Sequence, residues 1–126
     1  MEKEVVLTRN APAPPAHYSQ AMKAKGFVFV SGQLGRDPVK GEFVDFTIEG
    51  QTRQAIENLK AILEAGGSSL SDVVKTTVFL INRSDFASMN KIYTQYFTYA
   101  PPARSCVTVS ELAKDAKVEI EAIALA

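Results

Sequence analysis

The chain has 126 residues, of which 46% are hydrophobic and 22% are charged. This composition is typical of a globular protein with an apolar core, so we expect residues 1–126 to form a single domain. Lys plus Arg (14) balance Asp plus Glu (14), and a zero net charge does not favour binding to nucleic acid or to an anionic membrane. The single cysteine excludes an intrachain disulfide, and with only one histidine it also excludes a Cys/His zinc site.

The cellular location is predicted from two patterns. No run of apolar residues is long enough to span a bilayer. The first ten residues, MEKEVVLTRN, lack the apolar stretch of a signal peptide. We therefore expect the protein in a reducing cytoplasm, without a membrane partner.

Three short strands are predicted in the first third of the chain. Residues 5–7 form the first strand candidate, and a Pro-rich loop follows it. Residues 18–23 and 27–31 flank Lys25-Gly26, which predicts a β-hairpin. Residues 32–42 contain three glycines and the pair Asp37-Pro38 and have turn composition throughout.

The first helix is predicted over residues 48–63, where apolar side chains recur at helical spacing. Thr47 or Asp45 is expected to cap its N-terminus, because short polar side chains bond the free amide groups there. The pair Gly66-Gly67 is expected to end it.

A central strand and a second helix are predicted next. Residues 73–81 (VVKTTVFLI) are β-branched and apolar on both faces, which is typical of a strand inside a sheet. Ser84 is expected to cap the second helix. Its predicted inner stripe consists of Phe86, Met89, Tyr93, Tyr96 and Phe97.

Residues 103–109 and 117–125 are the last two predicted strands, giving the order β-β-β-α-β-α-β-β. This order predicts an α/β or α+β sheet that carries two helices, both on one face if the crossovers are right-handed. The last strand alternates, with Val118, Ile120, Ala122 and Ala124 on one side and Glu119, Glu121, Ile123 and Leu125 on the other. The second face is therefore mixed in character, and we infer that other subunits cover it.

Arg104 is a candidate binding residue near the start of a strand that is predicted to be buried. Many such arginines extend to water or pair with a surface acid. Here Pro101-Pro102 fixes the approach of the chain and removes two amide donors. A guanidinium at a rigid strand start suits bidentate binding of a carboxylate or a phosphate.

Glu119 and Glu121 share one face of the last strand. A solvent-exposed pair of acids is the ordinary interpretation of such a pattern. If other subunits close this face, at least one carboxylate is partly desolvated. Its pKa is then raised towards the range that suits proton transfer.

Five other residues carry weaker signals. Asn90 lies in line with the inner stripe of the second helix, where an amide commonly satisfies a backbone group. Tyr18 and Ser31 lie at the two ends of the predicted hairpin. Cys106 is on the face of Arg104 and is expected to pack rather than react. Gly32 is not part of a phosphate-binding motif.

The chain resembles the RidA family (also called YjgF), the enamine/imine deaminases, over essentially its whole length. The matching stretches are NAPAPPAHYSQA (10–21), FVSGQLGRDP (29–38), QTRQAIENLKAILEAGGSSLSDVVKTTVFL (51–80), DFASMNKIYTQYF (85–97) and PPARSCVTVSELAKDAKVEIEAIA (101–124). The resemblance implies an α+β, chorismate-mutase-like fold, with a mixed sheet and two helices on one face. It also implies a homotrimer with a central barrel and active sites between subunits.

The implied reaction is hydrolysis of 2-imino acids, such as 2-iminobutanoate and 2-iminopropanoate, and their enamine tautomers to 2-keto acids and ammonia. The resemblance implies that Arg104 binds the substrate carboxylate and that Glu119 positions and activates a water molecule. The other pocket residues it implies are Tyr18, Ser31, Gly32, Asn90 and Cys106. No metal or organic cofactor is implied.

Substrate preference is less well defined, because Pro15-Ala16-His17 replaces the isoleucine-glycine-proline that is usual before Tyr18 in this family. Two other functions compete with the deaminase. One is a ligand-sensing or partner-binding trimer without useful turnover, against which the retention of Arg104 and Glu119 argues. The other is a ribonuclease or translation inhibitor, against which the zero net charge and the lack of a basic, aromatic-rich strip argue.

Overall fold

A computed structural model describes residues 2–126, and its backbone contains two α-helices and six strands, in the predicted order. The elements are β1 (Glu4–Val6), β2 (Ala21–Ala24), β3 (Phe27–Gln33), α1 (Ile48–Ala65), β4 (Val73–Leu80), α2 (Phe86–Tyr96), β5 (Ala103–Thr108) and β6 (Val118–Leu125). Single 3₁₀ turns precede β4 and α2. Within the described residues, no helix is long and apolar enough to cross a membrane.

The six strands form one mixed sheet in the order β1-β2-β3-β6-β4-β5. Only β4 and β5 run parallel, as expected for strands joined through a helix. The last strand in sequence, β6, lies in the middle of the sheet between β3 and β4. The predicted internal position of β4 is confirmed. The prediction that Arg104 opens a buried strand is wrong, because β5 is an edge strand and has no fully buried residue.

Both helices cover the same face of the sheet. Along β6, alternate residues from Val118 to Ala124 are buried, and the residues between them are partly or fully exposed. The buried set packs with the inner side of α1, including Ile56, Leu59 and Leu63, in one apolar cluster. The predicted alternation of β6 is thus confirmed. The other face of the sheet carries apolar side chains that the chain itself leaves partly uncovered, such as Phe29 at 44% exposure.

The ends of α1 follow the predicted chemistry. The Thr47 hydroxyl accepts a hydrogen bond from the Gly50 amide at 3.0 Å, so Thr47 is the N-cap. Asp45 instead accepts from the Thr47 amide at 2.9 Å and fixes the turn before the helix. Gly66 closes the last turn, and Gly67 then takes a positive φ of 80°, which favours glycine.

The start of α2 differs from the prediction. A 3₁₀ turn, Arg83–Asp85, leads into the helix, and the capping position is Asp85, without a side-chain bond. Ser84 is exposed and is not the cap. Of the predicted inner stripe, Phe86 is 40% exposed, because it lies at the sheet edge beyond the core. The buried residues of the helix are Met89, Ile92 and Tyr93, with Phe97 directly after it.

The first hairpin also has shifted limits. Strand β2 begins at Ala21 rather than at Tyr18, and β3 continues to Gln33, two residues into the predicted turn. The pairing of β3 with β6 is irregular between Val30 and Gln33, which marks a bulge. Residues 31–33 therefore lie in the sheet next to β6, and this places them beside Glu119.

Three fully buried amide side chains fix the loops at one end of the sheet. Gln20 donates to the backbone oxygens of Thr8, Ala11 and Pro12 and accepts from the Thr8 amide. Asn58 donates to the backbone oxygens of Leu34 and Arg36, both at 3.0 Å. The amide of Gln51, on α1, joins three further backbone groups, which are Asp45 O, Asp115 O and Lys117 N. A buried amide with all its partners holds the backbone in one conformation.

The substitution Gly35→Ala tests how closely the loop before α1 approaches that helix. A Cβ at Gly35 would lie 2.5 Å from the Cα and 2.7 Å from the carbonyl oxygen of Gln51. Because these are helix backbone atoms, they cannot move aside, and we expect the free energy of unfolding to fall by about 1–3 kcal/mol. Urea unfolding measures the change. Gly66→Ala is the matched control, since its Cβ would meet only side-chain atoms at 3.4 Å; equal stability of the two variants would contradict the close approach.

Candidate active site

A cavity of 760 Å³ lies against the face of the sheet that the helices leave open. Its floor is formed by β3 and β6, and its walls are the Pro-rich loop and the loop after β3. The polar residues of its lining are Tyr18, Gln20, Ser31, Gln33, Arg36, Lys40, Glu119 and Glu121. Four of the residues implied by the resemblance, Tyr18, Ser31, Gly32 and Glu119, therefore lie together on one cavity.

Glu119 is the half-buried acid of this cavity. It projects from β6 on the side opposite the helices, since its neighbours Val118 and Ile120 point into the core. Burial raises the pKa of its carboxyl above the usual value, and repulsion from Glu121 raises it further. A carboxyl with a raised pKa can take up and return a proton closer to neutral pH.

Gly32 makes room for the Glu119 side chain. A Cβ at position 32 would lie 2.7 Å from the Glu119 Cδ and still closer to its Oε2. The carboxylate therefore lies directly over the backbone of β3. Any residue other than glycine would displace it, so Gly32 and Glu119 form one structural unit.

The Ser31 hydroxyl and the Tyr18 ring border the same acid. Ser31 Oγ donates to the Ser19 carbonyl at 2.7 Å. Its only proton is thus occupied, and the oxygen can still accept a hydrogen bond from a bound group. Tyr18 is 48% exposed and lines the cavity from the loop before β2. His17 lines an adjoining cavity of 690 Å³, which shares Tyr18, Ser31 and Glu121 with the first cavity but does not include Glu119.

Arg104 is held at the opposite edge of the sheet by an amide and two rings. Its Nη1 donates to Asn90 Oδ1 at 2.8 Å. Its guanidinium carbon lies 4.6 Å from the centre of the Tyr93 ring and 5.5 Å from that of Phe86. Tyr93 is itself fixed by a 2.7 Å hydrogen bond to Thr76. None of these partners is a carboxylate, so the guanidinium is held in place without an ion pair to any of them.

Cys106 is on the same side of β5 as Arg104 and packs partly against the core. It lines a cavity of 510 Å³ together with Phe86 and Val107. Burial raises the pKa of the thiol, an effect that the charge of Arg104 reduces. A neutral thiol is a poor nucleophile, and the packing role predicted for Cys106 agrees with this environment.

The site residues form two groups on opposite faces of the sheet. On β4, Thr76 pairs with Arg104 and contacts α2, so Arg104 lies on the helix-covered face. Phe79 lies three residues after Thr76 on β4 and pairs with Glu119. Because side chains alternate along a strand, Phe79 and Glu119 point to the face without helices. Arg104, Asn90 and Cys106 are therefore separated by the sheet from the cavity of Glu119.

Two kinds of site residue were not predicted from the sequence. Phe86 and Tyr93 were assigned only to a core stripe, although their spacing of seven along a helix, with Asn90 between them, could have indicated a surface for Arg104. The buried amides of Gln51 and Asn58 have no sequence signal, since polar residues of a helix usually face solvent. Among residues 2–126, no three His, Cys, Asp or Glu side chains are arranged to hold a metal ion.

A family model described as Endoribonuclease L-PSP matches residues 8–126. The chain belongs to this family, which is the RidA/YjgF family. It is 56% identical over 122 residues to a RutC family protein of Pyrococcus horikoshii, covering 97% of both chains. It is 45% identical over 125 residues to the 2-iminobutanoate/2-iminopropanoate deaminase of Salmonella typhimurium, again covering 97% of both.

Among solved structures, this RidA-family chain is similar to TdcF of E. coli, which was solved with bound serine. The two share 40% identity and a TM-score of 0.93 over 98% of each chain. Membership of the RidA family and the fold of two helices on a six-stranded mixed sheet are thereby confirmed.

The raised pKa of Glu119 predicts a pH-dependent gain in stability for Glu119→Gln. Because the folded pKa lies above the unfolded one, the protonated acid is favoured in the fold. The stability that the protonated acid contributes to the fold is fully present below the pKa of a glutamate in the unfolded chain, about 4.3. This stability is lost as pH rises through the raised pKa of the folded state. Glu119→Gln should therefore unfold at a higher temperature than the parent at pH 7, and the difference should shrink towards pH 4.

Thermal unfolding followed by circular dichroism between pH 4 and pH 8 measures this difference. Glu64→Gln, at an exposed position of α1, is the matched control and should show no such trend. A Glu119→Gln gain that is the same at pH 4 and at pH 7 would mean that burial of the charge is not its cause.

Proposed function

We propose that the protein is a hydrolytic deaminase that converts 2-imino acids and their enamine tautomers, such as 2-iminobutanoate and 2-iminopropanoate, to 2-keto acids and ammonia. The observation that carries this proposal is the Glu119 carboxyl, half-buried over Gly32 in a cavity. Family membership and the name of the Salmonella relative support the same reaction.

Glu119 supplies the proton transfers. Its carboxylate takes a proton from a water molecule as the water oxygen bonds to the C=N carbon of the substrate, and it returns this proton to the nitrogen, which gives a neutral carbinolamine. The carboxylate then takes the proton of the carbinolamine hydroxyl and passes it to the nitrogen. The C=O bond forms as the C–N bond breaks, and the keto acid and ammonia leave. Ser31 Oγ, whose proton is already donated to Ser19, accepts from the imine N–H and orients it.

Arg104 binds the substrate carboxylate. Its planar guanidinium suits a carboxylate, and Asn90 and Tyr93 hold it in place before the ligand arrives. TdcF, a similar chain, was solved with serine, a small molecule that also carries a carboxylate. This common feature supports recognition of an acid in the RidA-type pocket.

A complete site needs two copies of the chain. Arg104 and Glu119 lie on opposite faces of the sheet within one chain, so one small substrate cannot contact both. When the β5 edge of one subunit packs on the open cavity of its neighbour, the two groups meet. We propose that this arrangement closes as a homotrimer around a central barrel, with sites between subunits.

The ribonuclease alternative draws on the description of the family model. The cavity that holds Glu119 is lined by two acids, Glu119 and Glu121, and by two cations, Arg36 and Lys40, so it lacks the excess of positive charge that a phosphate backbone requires. The described residues, 2–126, therefore support the deaminase more strongly than the ribonuclease. A ligand-binding trimer without turnover is the other alternative, and the assay below separates it from the enzyme.

The direct test measures release of keto acid from imines that an amino-acid oxidase generates in situ. We expect the parent protein to accelerate hydrolysis of 2-iminobutanoate, and Glu119→Gln to slow it by about 100- to 10,000-fold through loss of proton transfer. The variant should still bind 2-oxobutanoate, because the amide keeps the shape of the acid. Glu64→Gln is the control, with parental rates expected. No acceleration by the parent for any of several imino acids would favour the binding protein.

Mixing two inactive variants tests whether the site is shared between subunits. Arg104→Ala and Glu119→Gln should each be nearly inactive alone. After joint unfolding and refolding at equal amounts, an interface that joins an intact Arg104 to an intact Glu119 forms at about one quarter of the sites. About a quarter of the parental activity should therefore return, in a species whose light-scattering mass equals three chains. A refolded mixture without activity would place the site within one chain.

A further inference from the structure

Arg36 is a second cation on the cavity of Glu119, and the proposed reaction gives it no role. It follows Gly32 by four residues, so the two Cα atoms are at most about 14 Å apart along the chain. Its side chain lines the same cavity as Glu119 and Ser31. Arg36 and Glu119 therefore border one space that a single ligand can occupy.

The backbone at Arg36 is fixed from two sides. The buried Asn58 amide donates to the Arg36 carbonyl at 3.0 Å. Arg36 also forms an isolated antiparallel bridge with Phe43, and the Asp37 amide donates to the Glu42 carbonyl at 2.7 Å. Hydrogen bonds within the protein therefore hold the loop of residues 35–44 in place, and this wall of the cavity is formed without a ligand.

The guanidinium is positioned but only partly bonded. Its carbon lies 4.7 Å from the centre of the Phe43 ring, and Nη1 donates to the Gly41 carbonyl at a long 3.4 Å. Nε is buried, and within residues 2–126 it has no hydrogen-bond partner. A buried N–H group without a partner is uncommon in native proteins, and it calls for an acceptor from elsewhere.

A carboxylate is the acceptor that fits best. Arginine binds carboxylates through two parallel N–H groups, with geometry that an ammonium cannot match. Lys40 lines the same cavity and adds positive charge on this wall. Because Arg104 takes the carboxylate next to the imine, the group at Arg36 belongs to the far end of the substrate.

We infer that Arg36 is a specificity-determining residue that binds a carboxylate at the end of the substrate side chain. The preferred substrates are then dicarboxylic 2-imino acids rather than those with short alkyl side chains. This inference rests on the proposed deaminase function and names its substrate class.

The test compares two substrates in the parent and in Arg36 variants. Imines of glutamate and of 2-aminobutanoate are generated in situ by amino-acid oxidases, and kcat/KM is measured for each. For Arg36→Leu, the ratio of the glutamate-derived imine to 2-iminobutanoate should fall by about 30-fold or more, as expected for loss of a buried charge pair. Arg36→Lys should restore only part of the ratio. Arg53→Leu, at an exposed position of α1, is the control and should keep the parental ratio.

Product binding makes the inference independent of turnover. Calorimetry with 2-oxoglutarate and 2-oxobutanoate should show that Arg36→Leu weakens binding of the dicarboxylate selectively. Thermal unfolding checks that the variants are folded.

The outcomes separate this inference from the proposed function. If the parent hydrolyses both imines and the ratio is the same in Arg36→Leu, the inference is wrong and the deaminase proposal is supported. If the parent hydrolyses neither imine, the deaminase proposal is wrong. Selective loss of 2-oxoglutarate binding in Arg36→Leu would then still support the carboxylate site. Equal affinities of parent and Arg36→Leu for 2-oxoglutarate overturn it.

Discussion

Strand β6 determines both the core and the site, because its side chains alternate strictly between the two faces of the sheet. Its place between β3 and β4 joins the N-terminal hairpin to the C-terminal half of the sheet. Val118, Ile120 and the two alanines that follow on that side fill the space under α1 and α2. The same alternation sends Glu119 and Glu121 to the face without helices. A shift of one residue in the pairing of β6 would bury the acids and expose the core.

The cavity walls are held by amides rather than by apolar packing. Loops expose backbone polar groups, and a loop against a cavity cannot bury them without partners. The side-chain amides form hydrogen bonds with backbone groups of three segments. Gln20 bonds the Pro-rich loop, Asn58 bonds the loop after β3, and Gln51 bonds the segment that leads into β6. Each amide is fully buried within residues 2–126. The site therefore has fixed walls although most of it is built from loops.

The sequence predicted the elements with strong local signals. The apolar spacing of α1, its N-terminal cap at Thr47 or Asp45 and the alternation of β6 depend on neighbouring residues in the chain. The spacing and the alternation were correct, and of the two cap candidates the structure uses Thr47. The burial of β5 was wrong because an apolar strand has the same composition in the middle of a sheet and at an edge that a partner covers. Ser84 was wrong because a 3₁₀ turn moved the start of α2 by one residue.

The candidate site was predicted as a set of residues that lies between subunits, but not which residues one chain contributes to each face of its sheet. The resemblance named Arg104 and Glu119 together. Their separation by the sheet follows from the pairing of β4 with both β5 and β6, and no local pattern carries that long-range register. Arg36 was likewise given only turn composition, since its contact with Phe43 and its position on the cavity depend on how the loop folds back.

The contacts of Arg104 also affect the thermodynamics of binding. A free arginine side chain has several rotatable bonds, and a ligand that immobilises it must offset about 0.5–1.5 kcal/mol of lost side-chain entropy. In this chain Asn90, Tyr93 and Phe86 restrict the side chain when the protein folds. That entropy is thus lost during folding rather than during binding. In the proposed complex, the substrate carboxylate would meet a guanidinium whose orientation is already set, and a larger share of the hydrogen-bond energy would be available for affinity.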